Sequence, residues 1–330
     1  MYPELFKIPF IDLTVKSYGL MMVAGFLAAV FLIRYLSRDI TPDAKHITNA
    51  ALYALLAGVA GARLFHVVHY FENYKGDLLS VFAVWNGGLE LVGGVILAIA
   101  VIIIYIRYHK LPLRKYLDIL AIALMLALAI GRTGCFLNGC CYGRPSSVSW
   151  AVRFPYGSFA YTSQVQPDAA RSRSEPYMQL PKEYFNTYYY GDGSTREFLK
   201  PITELTEQQI FRLKQNDRFR SLPVHPAQLY SSAYALVICF ILFALWKREK
   251  SAYGKKQRRL IKPGVTFSIM FVFYGIARFL VEFLRDDNPY EIAQLTISQL
   301  TGVFLLLPLG IALFIIFTRL RPGVQDSPRC

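Results

Sequence analysis

Seven runs of roughly 20 predominantly apolar residues dominate this chain, near Ser17–Leu36, Ile47–Tyr70, Leu89–Tyr108, Lys115–Gly134, Ala227–Trp246, Gly264–Phe283 and Ser298–Phe317. A helix of about that length is what crossing the hydrocarbon core of a bilayer requires, so each run predicts a spanning helix. Hydrophobic residues form 54% of the chain and charged residues 18%, with a mean hydropathy of +0.34, which excludes an ordinary soluble domain. The fold class expected is therefore an all-α polytopic membrane protein with seven transmembrane helices. The first run lacks a basic leader and is long enough to be retained, so no cleavable signal peptide is expected.

The net charge of +14 invites a nucleic-acid partner, but its distribution argues against one. Lys247, Arg248, Lys250, Lys255, Lys256, Arg258, Arg259 and Lys262 crowd one connection, and Arg107, Lys110, Arg114 and Lys115 another. Arg319, Arg321 and Arg329 lie in the tail. With seven spans all of these fall on one side, while the segment Asp286–Glu291 on the other side carries only acids. The positive-inside rule then places the N-terminus outside and the C-terminus in the cytoplasm. The basic excess is an orientation signal with affinity for anionic lipid.

One long polar segment, residues 145–222, does not span and divides the chain into residues 1–144, an outward head or lid, and residues 223–330. Within it Ser149–Pro155 (SWAVRFP) predicts a short strand and Thr203–Asn216 an amphipathic helix. Immediately before it, Gly131–Arg144 (GRTGCFLNGCCYGR) brings four glycines, two arginines and three cysteines to the end of an apolar helix. Lipid cannot satisfy exposed backbone polar groups, so such a segment must line a pocket. An arginine near the membrane costs roughly 2.5–3.5 kcal/mol on insertion scales, which makes Arg132 a functional candidate. In the sixth run Tyr274, Arg278, Glu282 and Arg285 share one helical face, with Arg278 and Glu282 spaced to pair. Arg63, His66 and His69 or Tyr70 form a similar stripe in the second run. Tyr18 precedes Gly19 in the first, and Gly93-Gly94 in the third would let backbone approach a ligand. With His225-Pro226, these features describe an outward pocket suited to an anionic lipid headgroup, and they name no reaction.

GRTGCFLNGCCYGR resembles the signature of the prolipoprotein diacylglyceryl transferases, GRxGNFxNGxxxGR. In order along the chain, YGLMMVAGF (Tyr18–Phe26), AGARL (Ala60–Leu64), VWNGGLELVGG (Val84–Gly94), HPAQLY (His225–Tyr230) and YGIARFLVEFLR (Tyr274–Arg285) resemble the other blocks of that family, and Gln299 matches a final one. The resemblance implies a seven-helix bacterial inner-membrane enzyme with a periplasmic head. It implies transfer of the diacylglyceryl group of phosphatidylglycerol to the lipobox cysteine of a preprolipoprotein, with release of glycerol 1-phosphate. By the same resemblance Arg132 and Arg278 clamp the phosphate and Glu282 orients Arg278. Tyr18, Asn138, Gly143 and Tyr274 shape the lipid site, and Arg63, His225 and Arg285 are further substrate-binding candidates. No metal and no organic cofactor is implied.

The chain departs from the pattern at three positions. Val92 stands where the family's third-helix histidine precedes the paired glycines, removing the obvious thiol-activating group; Glu90, His66 and His69 are candidate substitutes. Cys135 replaces the first asparagine of the signature and Cys140 the acid after its second glycine. On an oxidising face a Cys135–Cys140 or Cys135–Cys141 disulfide would staple the turn, the alternatives being packing thiols or a redox or metal role. The spacing matches neither CxxC nor a common zinc motif. Besides the transferase, the sequence leaves open a catalytically lapsed relative that binds lipid or lipobox peptide, and a membrane thiol oxidoreductase or transporter on the same scaffold.

Overall fold

The computed structural model describes residues 4–8, 13–38, 40, 45–75, 78–83, 88, 90–189, 195–253 and 262–319. Ten α-helices carry most of them. Strands β1 (Glu4–Ile8) and β2 (Leu13–Lys16) form an antiparallel hairpin and feed α1 (Ser17–Ser37). There follow α2 (Lys45–His69), α3 (Leu91–Tyr108), α4 (Leu113–Asn138), α5 (Phe159–Gln164), the hairpin β3 (Phe185–Tyr189) and β4 (Thr195–Leu199), and α6 (Glu207–Gln215). The chain closes with α7 (Ala227–Tyr253), α8 (Val265–Glu282), the short pair β5 (Tyr290–Ile292) and β6 (Leu295–Thr296), α9 (Ile297–Thr301) and α10 (Leu307–Arg319).

Six helical stretches among the described residues are long and apolar enough to cross a membrane: Ser17–Ser37, Thr48–His69, Leu113–Asn138, Ala227–Arg248, Val265–Glu282 and Ile297–Arg319. The last is built from α9, a π-helical turn at Gly302–Leu306 and α10. The third expected run is helical, but its described apolar stretch, Val92–Tyr108, is shorter than the other six. The basic group in the fifth connection divides. Lys247, Arg248 and Lys250 belong to the end of α7, whereas Lys255, Lys256, Arg258 and Arg259 lie outside the described residues, as do Arg321 and Arg329.

The chain forms two compact units. One comprises residues 1–26, 124–241 and 269–312, the other residues 27–123, 242–268 and 313–330. In the second unit α2 and α3 pack through glycines: a Cβ on Gly94 would lie 2.7 Å from the Gly58 carbonyl oxygen, and one on Gly61 would collide with the Gly93 carbonyl. Small residues that let helix backbones approach are a general means of packing in lipid. Gly93-Gly94, expected to admit a ligand, is thus occupied by α2. In the same unit the buried Asp118 carboxylate accepts from the N–H groups of Gly264 (2.6 Å) and Phe267 (2.8 Å), capping the start of α8 from α4.

The first unit holds residues 145–222. Val152 pairs with Val224 through two 3.0 Å backbone bonds, an isolated bridge where a strand was expected at 149–155. The expected helix at 203–216 forms as α6, opened by a reciprocal capping box between Thr206 and Gln209. The buried Gln164 side chain both accepts from Leu222 N–H (2.8 Å) and donates to Leu222 carbonyl (3.2 Å), tying α5 to the end of the insertion.

Candidate active site

In the first unit α4 continues past Gly131 and Gly134 to Asn138, so Arg132 and Cys135 are helical residues rather than part of a glycine-rich loop. The two glycines let α4 lie against α1: a Cβ on Gly134 would come within 2.9 Å of Met21 Cβ, and one on Gly131 within 3.3 Å of the Met22 sulfur. Gly139 (φ +77°) ends the helix in the left-handed conformation usual after a C-cap, and Cys141 (φ +60°) adopts it without that freedom. Gln228 Nε2 donates to the Cys140 carbonyl (2.7 Å), fixing the turn from α7.

Beyond the turn the backbone threads between two other segments. Gly143 N–H donates to the His225 carbonyl (3.1 Å), His225 N–H to Arg144 carbonyl (3.0 Å), and Arg144 N–H to Leu284 carbonyl (2.8 Å). A Cβ at Gly143 would drive into the His225 carbonyl oxygen and sit 2.8 Å from that of Leu284. Gly143→Ala is therefore expected to cost about 1–3 kcal/mol by overpacking. Thermal unfolding in detergent checks this; an unchanged midpoint would contradict the threaded geometry. His225, expected at the substrate, supplies this backbone bridge, and its ring bonds to the Tyr230 hydroxyl (3.1 Å).

The polar face of α8 is a buried network centred on Glu282. Its Oε2 lies 2.9 Å from Arg278 Nη1 and 3.7 Å from Arg285 Nε. Its Oε1 accepts from Thr296 Oγ1 (2.8 Å) and Asn288 Nδ2 (2.5 Å). Arg278 Nη2 also donates to Ser298 Oγ (2.7 Å), and Arg285 makes a fork to Asp287 at 2.8 and 2.6 Å. Thr296 is held by its own capping box with buried Gln299 at the start of α9. Arg278, Glu282 and Arg285 are all buried, so each charge requires the partners it has. Next to them Asp286 is buried between Arg171 (3.3 Å) and Arg173 (3.0 Å), joining the insertion to the end of α8. Burial raises its carboxyl above the ordinary value, and the two guanidinium groups oppose that rise.

Arg132 lies within electrostatic reach of Arg285, Arg278, Tyr274, Tyr234 and Cys141, which makes three guanidinium groups converge in this unit. Arg278 and Arg285 have carboxylate partners; Arg132 has none among the described residues. The one hydrogen bond it makes among them runs from Nη1 to Cys141 Sγ (3.6 Å). The Tyr234 ring stands 6.2 Å from that of Tyr274, and its buried hydroxyl, near Ser231, makes no well-aligned hydrogen bond among the described residues. Tyr18, exposed at the start of α1, also lies within electrostatic reach of Arg132 and the three cysteines. Arg132, Tyr234 and Tyr274 thus offer donors to an anion with an oxygen-rich surface.

Cys135, Cys140 and Cys141 are free thiols in the structure, so the disulfide expected as a staple is not formed. Their sulfurs lie within 4.8 Å of one another. The Cys140 thiol donates to the Cys135 carbonyl (3.7 Å). Hydrogen bonds from the Cys135 and Cys140 thiols, and after them the charges of Arg285 and Arg132, hold the Cys141 thiol well below the ordinary range. Cys140 and Cys141 open onto a cleft of about 560 Å³ that Thr162, Asp168, Arg173 and Asp287 also line.

Arg63 belongs to the other unit, and its guanidinium serves the backbone there. It donates to the carbonyls of Val81 (2.7 Å), Ser80 (2.6 Å) and Gly88 (3.1 Å) and stacks on Tyr74. Arg63, expected at the substrate, thus also fixes the connection between α2 and α3. Near it Glu90 Oε1 lies 3.0 Å from His69 Nδ1 and 3.8 Å from His66 Nδ1, an imidazole–carboxylate group two residues before the exposed Val92.

The sequence model described as "Prolipoprotein diacylglyceryl transferase" matches residues 3–316. The chain belongs to that family. Its similarity extends to proteins named phosphatidylglycerol–prolipoprotein diacylglyceryl transferase. That of Clostridium tetani is 26% identical over 314 residues, covering 95% of this chain and 97% of the relative. That of Clostridium botulinum (strain Langeland) is 26% identical over 306 residues, covering 93% and 92%. That of Rhodopirellula baltica is 25% identical, covering 96% and 75%. Within this member of the family, the signature and the sixth-run face meet in one unit, as their motifs led us to expect. Tyr234, Thr296, Ser298 and Asp287 were not singled out from the sequence. Asp287, two residues beyond Arg285, could have been found as its counter-ion; the other three reach the site from α7, β6 and α9 without any spacing that marks them.

Proposed function

We propose that this membrane protein transfers the diacylglyceryl group of phosphatidylglycerol to the lipobox cysteine of a preprolipoprotein, forming a thioether and releasing glycerol 1-phosphate. The observation that carries the reading is Arg132, a guanidinium with no carboxylate partner among the described residues, beside the carboxylate-paired Arg278 and Arg285. A guanidinium not committed to a carboxylate, among forked donors, suits the single negative charge of a phosphodiester. As the bond from the diacylglyceryl carbon to the phosphate oxygen breaks, charge grows on that oxygen. Donors already held in place by Glu282, Asp287 and Ser298 stabilise it without reorganising. Tyr18, Tyr274, Asn138 and Gly143 shape the lipid side of the site, and the names of the relatives support the substrates.

The reading includes seven spans in the bacterial inner membrane, with the N-terminus outside, the C-terminus cytoplasmic and residues 145–222 forming a periplasmic head. The chain as a whole then comprises helices 1–4 in residues 1–144, the head, and helices 5–7 in residues 223–330. Purified protein supplied with phosphatidylglycerol and a lipobox peptide is expected to release glycerol phosphate in step with peptide lipidation. Binding of both substrates without release would favour the lapsed relative that Val92 suggests, and would end the transferase reading.

A further inference from the structure

Three sulfurs meet where the family signature has an asparagine, an acid and one further residue. Cys135 projects from the last turn of α4, and Cys140 and Cys141 follow Gly139, all within 4.8 Å of one another. A disulfide engages two sulfurs and leaves the third without a role, whereas an ion uses all three. Zinc–thiolate bonds of about 2.3 Å place sulfurs around a tetrahedral ion about 3.8 Å apart, within a small side-chain rotation of the spacing here. The turn that holds them is fixed from two directions, by Cys140 N–H on the Cys135 carbonyl (3.2 Å) and by Gln228 on the Cys140 carbonyl (2.7 Å). Arg132 Nη1, 3.6 Å from Cys141 Sγ, offsets the negative charge that three thiolates place on a divalent ion. Cys140 and Cys141 face the 560 Å³ cleft, so the ion would be reachable.

Three protein ligands and one open position describe a zinc site built for chemistry rather than for structure. The proposed reaction needs a thiolate, and Val92 stands where the family has its histidine. We propose that Cys135, Cys140 and Cys141 bind a zinc ion as thiolates and that the lipobox cysteine occupies its open position as the nucleophile. This inference rests on the transferase reading, and it departs from the metal-free chemistry the family resemblance implies. Coordination releases the thiol proton to solvent. The zinc-held sulfur then forms the C–S bond to the diacylglyceryl carbon with a sulfur electron pair. The C–O bond breaks, and its electrons leave on the phosphate oxygen of glycerol phosphate. Zinc stays divalent, and the neutral thioether, a weaker ligand, departs.

The test uses reduced, full-length protein in detergent, with Zn²⁺ or Co²⁺ as the probe. One equivalent of metal is expected to bind, with a thiolate-to-cobalt charge-transfer band that the triple variant C135S/C140S/C141S lacks. A lipobox peptide should shift that band, and the same peptide with serine for cysteine should not. Removing metal from the wild type should slow transfer roughly 30-fold at pH 7, since a thiol of pKa about 8.5 is only about 3% ionised there. The metal-free rate should then climb with pH while the zinc-loaded rate stays flat. Because metal removal needs no mutant, a misfolded variant does not decide the outcome. Failure of the reduced protein to bind metal overturns the proposal. So does transfer that is undiminished without metal and abolished by Glu90→Gln, which would assign activation to the Glu90–His69 pair and leave the transferase reading intact. Metal binding with a peptide-dependent shift but no glycerol phosphate release supports the ion site and overturns the transferase reading instead.

Discussion

Arg278→Ala is expected to lower glycerol phosphate release by about 10²–10³-fold, the usual consequence of removing one preorganised donor from developing negative charge. Arg278 is not a loose surface cation. Glu282 pairs with Nη1 at 2.9 Å and Ser298 accepts from Nη2, so the guanidinium is tethered before lipid arrives. Arg132→Ala should have an effect of the same size, with a larger share in apparent affinity, because this is the guanidinium that lacks a carboxylate partner among the described residues. Arg278→Lys keeps the charge and loses the fork, so it should recover only part of the rate. The measurement is lipidation of a lipobox peptide in phosphatidylglycerol-containing micelles. Retention of more than about a third of wild-type activity by both alanine variants would remove the phosphate clamp from the mechanism.

Glu282→Ala is expected to destabilise the fold by about 3–5 kcal/mol, the cost of stranding buried charge. The carboxylate faces two buried arginines and accepts from Thr296 and Asn288, so its loss orphans several groups at once. If the cost comes from stranded charge, Glu282→Ala combined with Arg278→Met should be more stable than Glu282→Ala alone, because fewer cations are then left without a partner. Thermal or denaturant unfolding in detergent reports both. A double variant no more stable than the single one would mean that packing, rather than charge, makes Glu282 necessary. Activity separates the roles further: the double variant regains stability but not transfer.

The α8 face was legible because its four residues repeat at helical spacing, and α6 was legible as an amphipathic stretch within 203–216. The end of α4 was misread. Gly131 and Gly134 look like helix breakers in a sequence, yet here they create room for Met21 and Met22 of α1. Gly93-Gly94 misled in the opposite direction, because nothing local shows that α2 fills the space they leave. The hairpin β3–β4 was passed over since its residues lie in a polar insertion and bury no alternating apolar face. The 149–155 segment has strand composition but finds a single bridge, at Val224. Thr296 and Tyr234 reach the site only through tertiary packing, which local spacing cannot encode. The three cysteines were visible, but their convergence depends on Gly139 and Cys141 both turning left-handed.

The threading of Gly143 and Arg144 also bears on how the chain is made. Arg144 donates to the carbonyl of Arg285, a partner 141 residues later in the chain. At ribosomal rates of about 5–20 residues per second, that partner emerges roughly 7–28 s after Arg144. During that interval the arginines of the signature wait in a nascent bilayer segment without α8. The proposed site is therefore completed by the last helices to be synthesised, and a ribosome that stalls before α8 leaves a chain with the phosphate site proposed here half built.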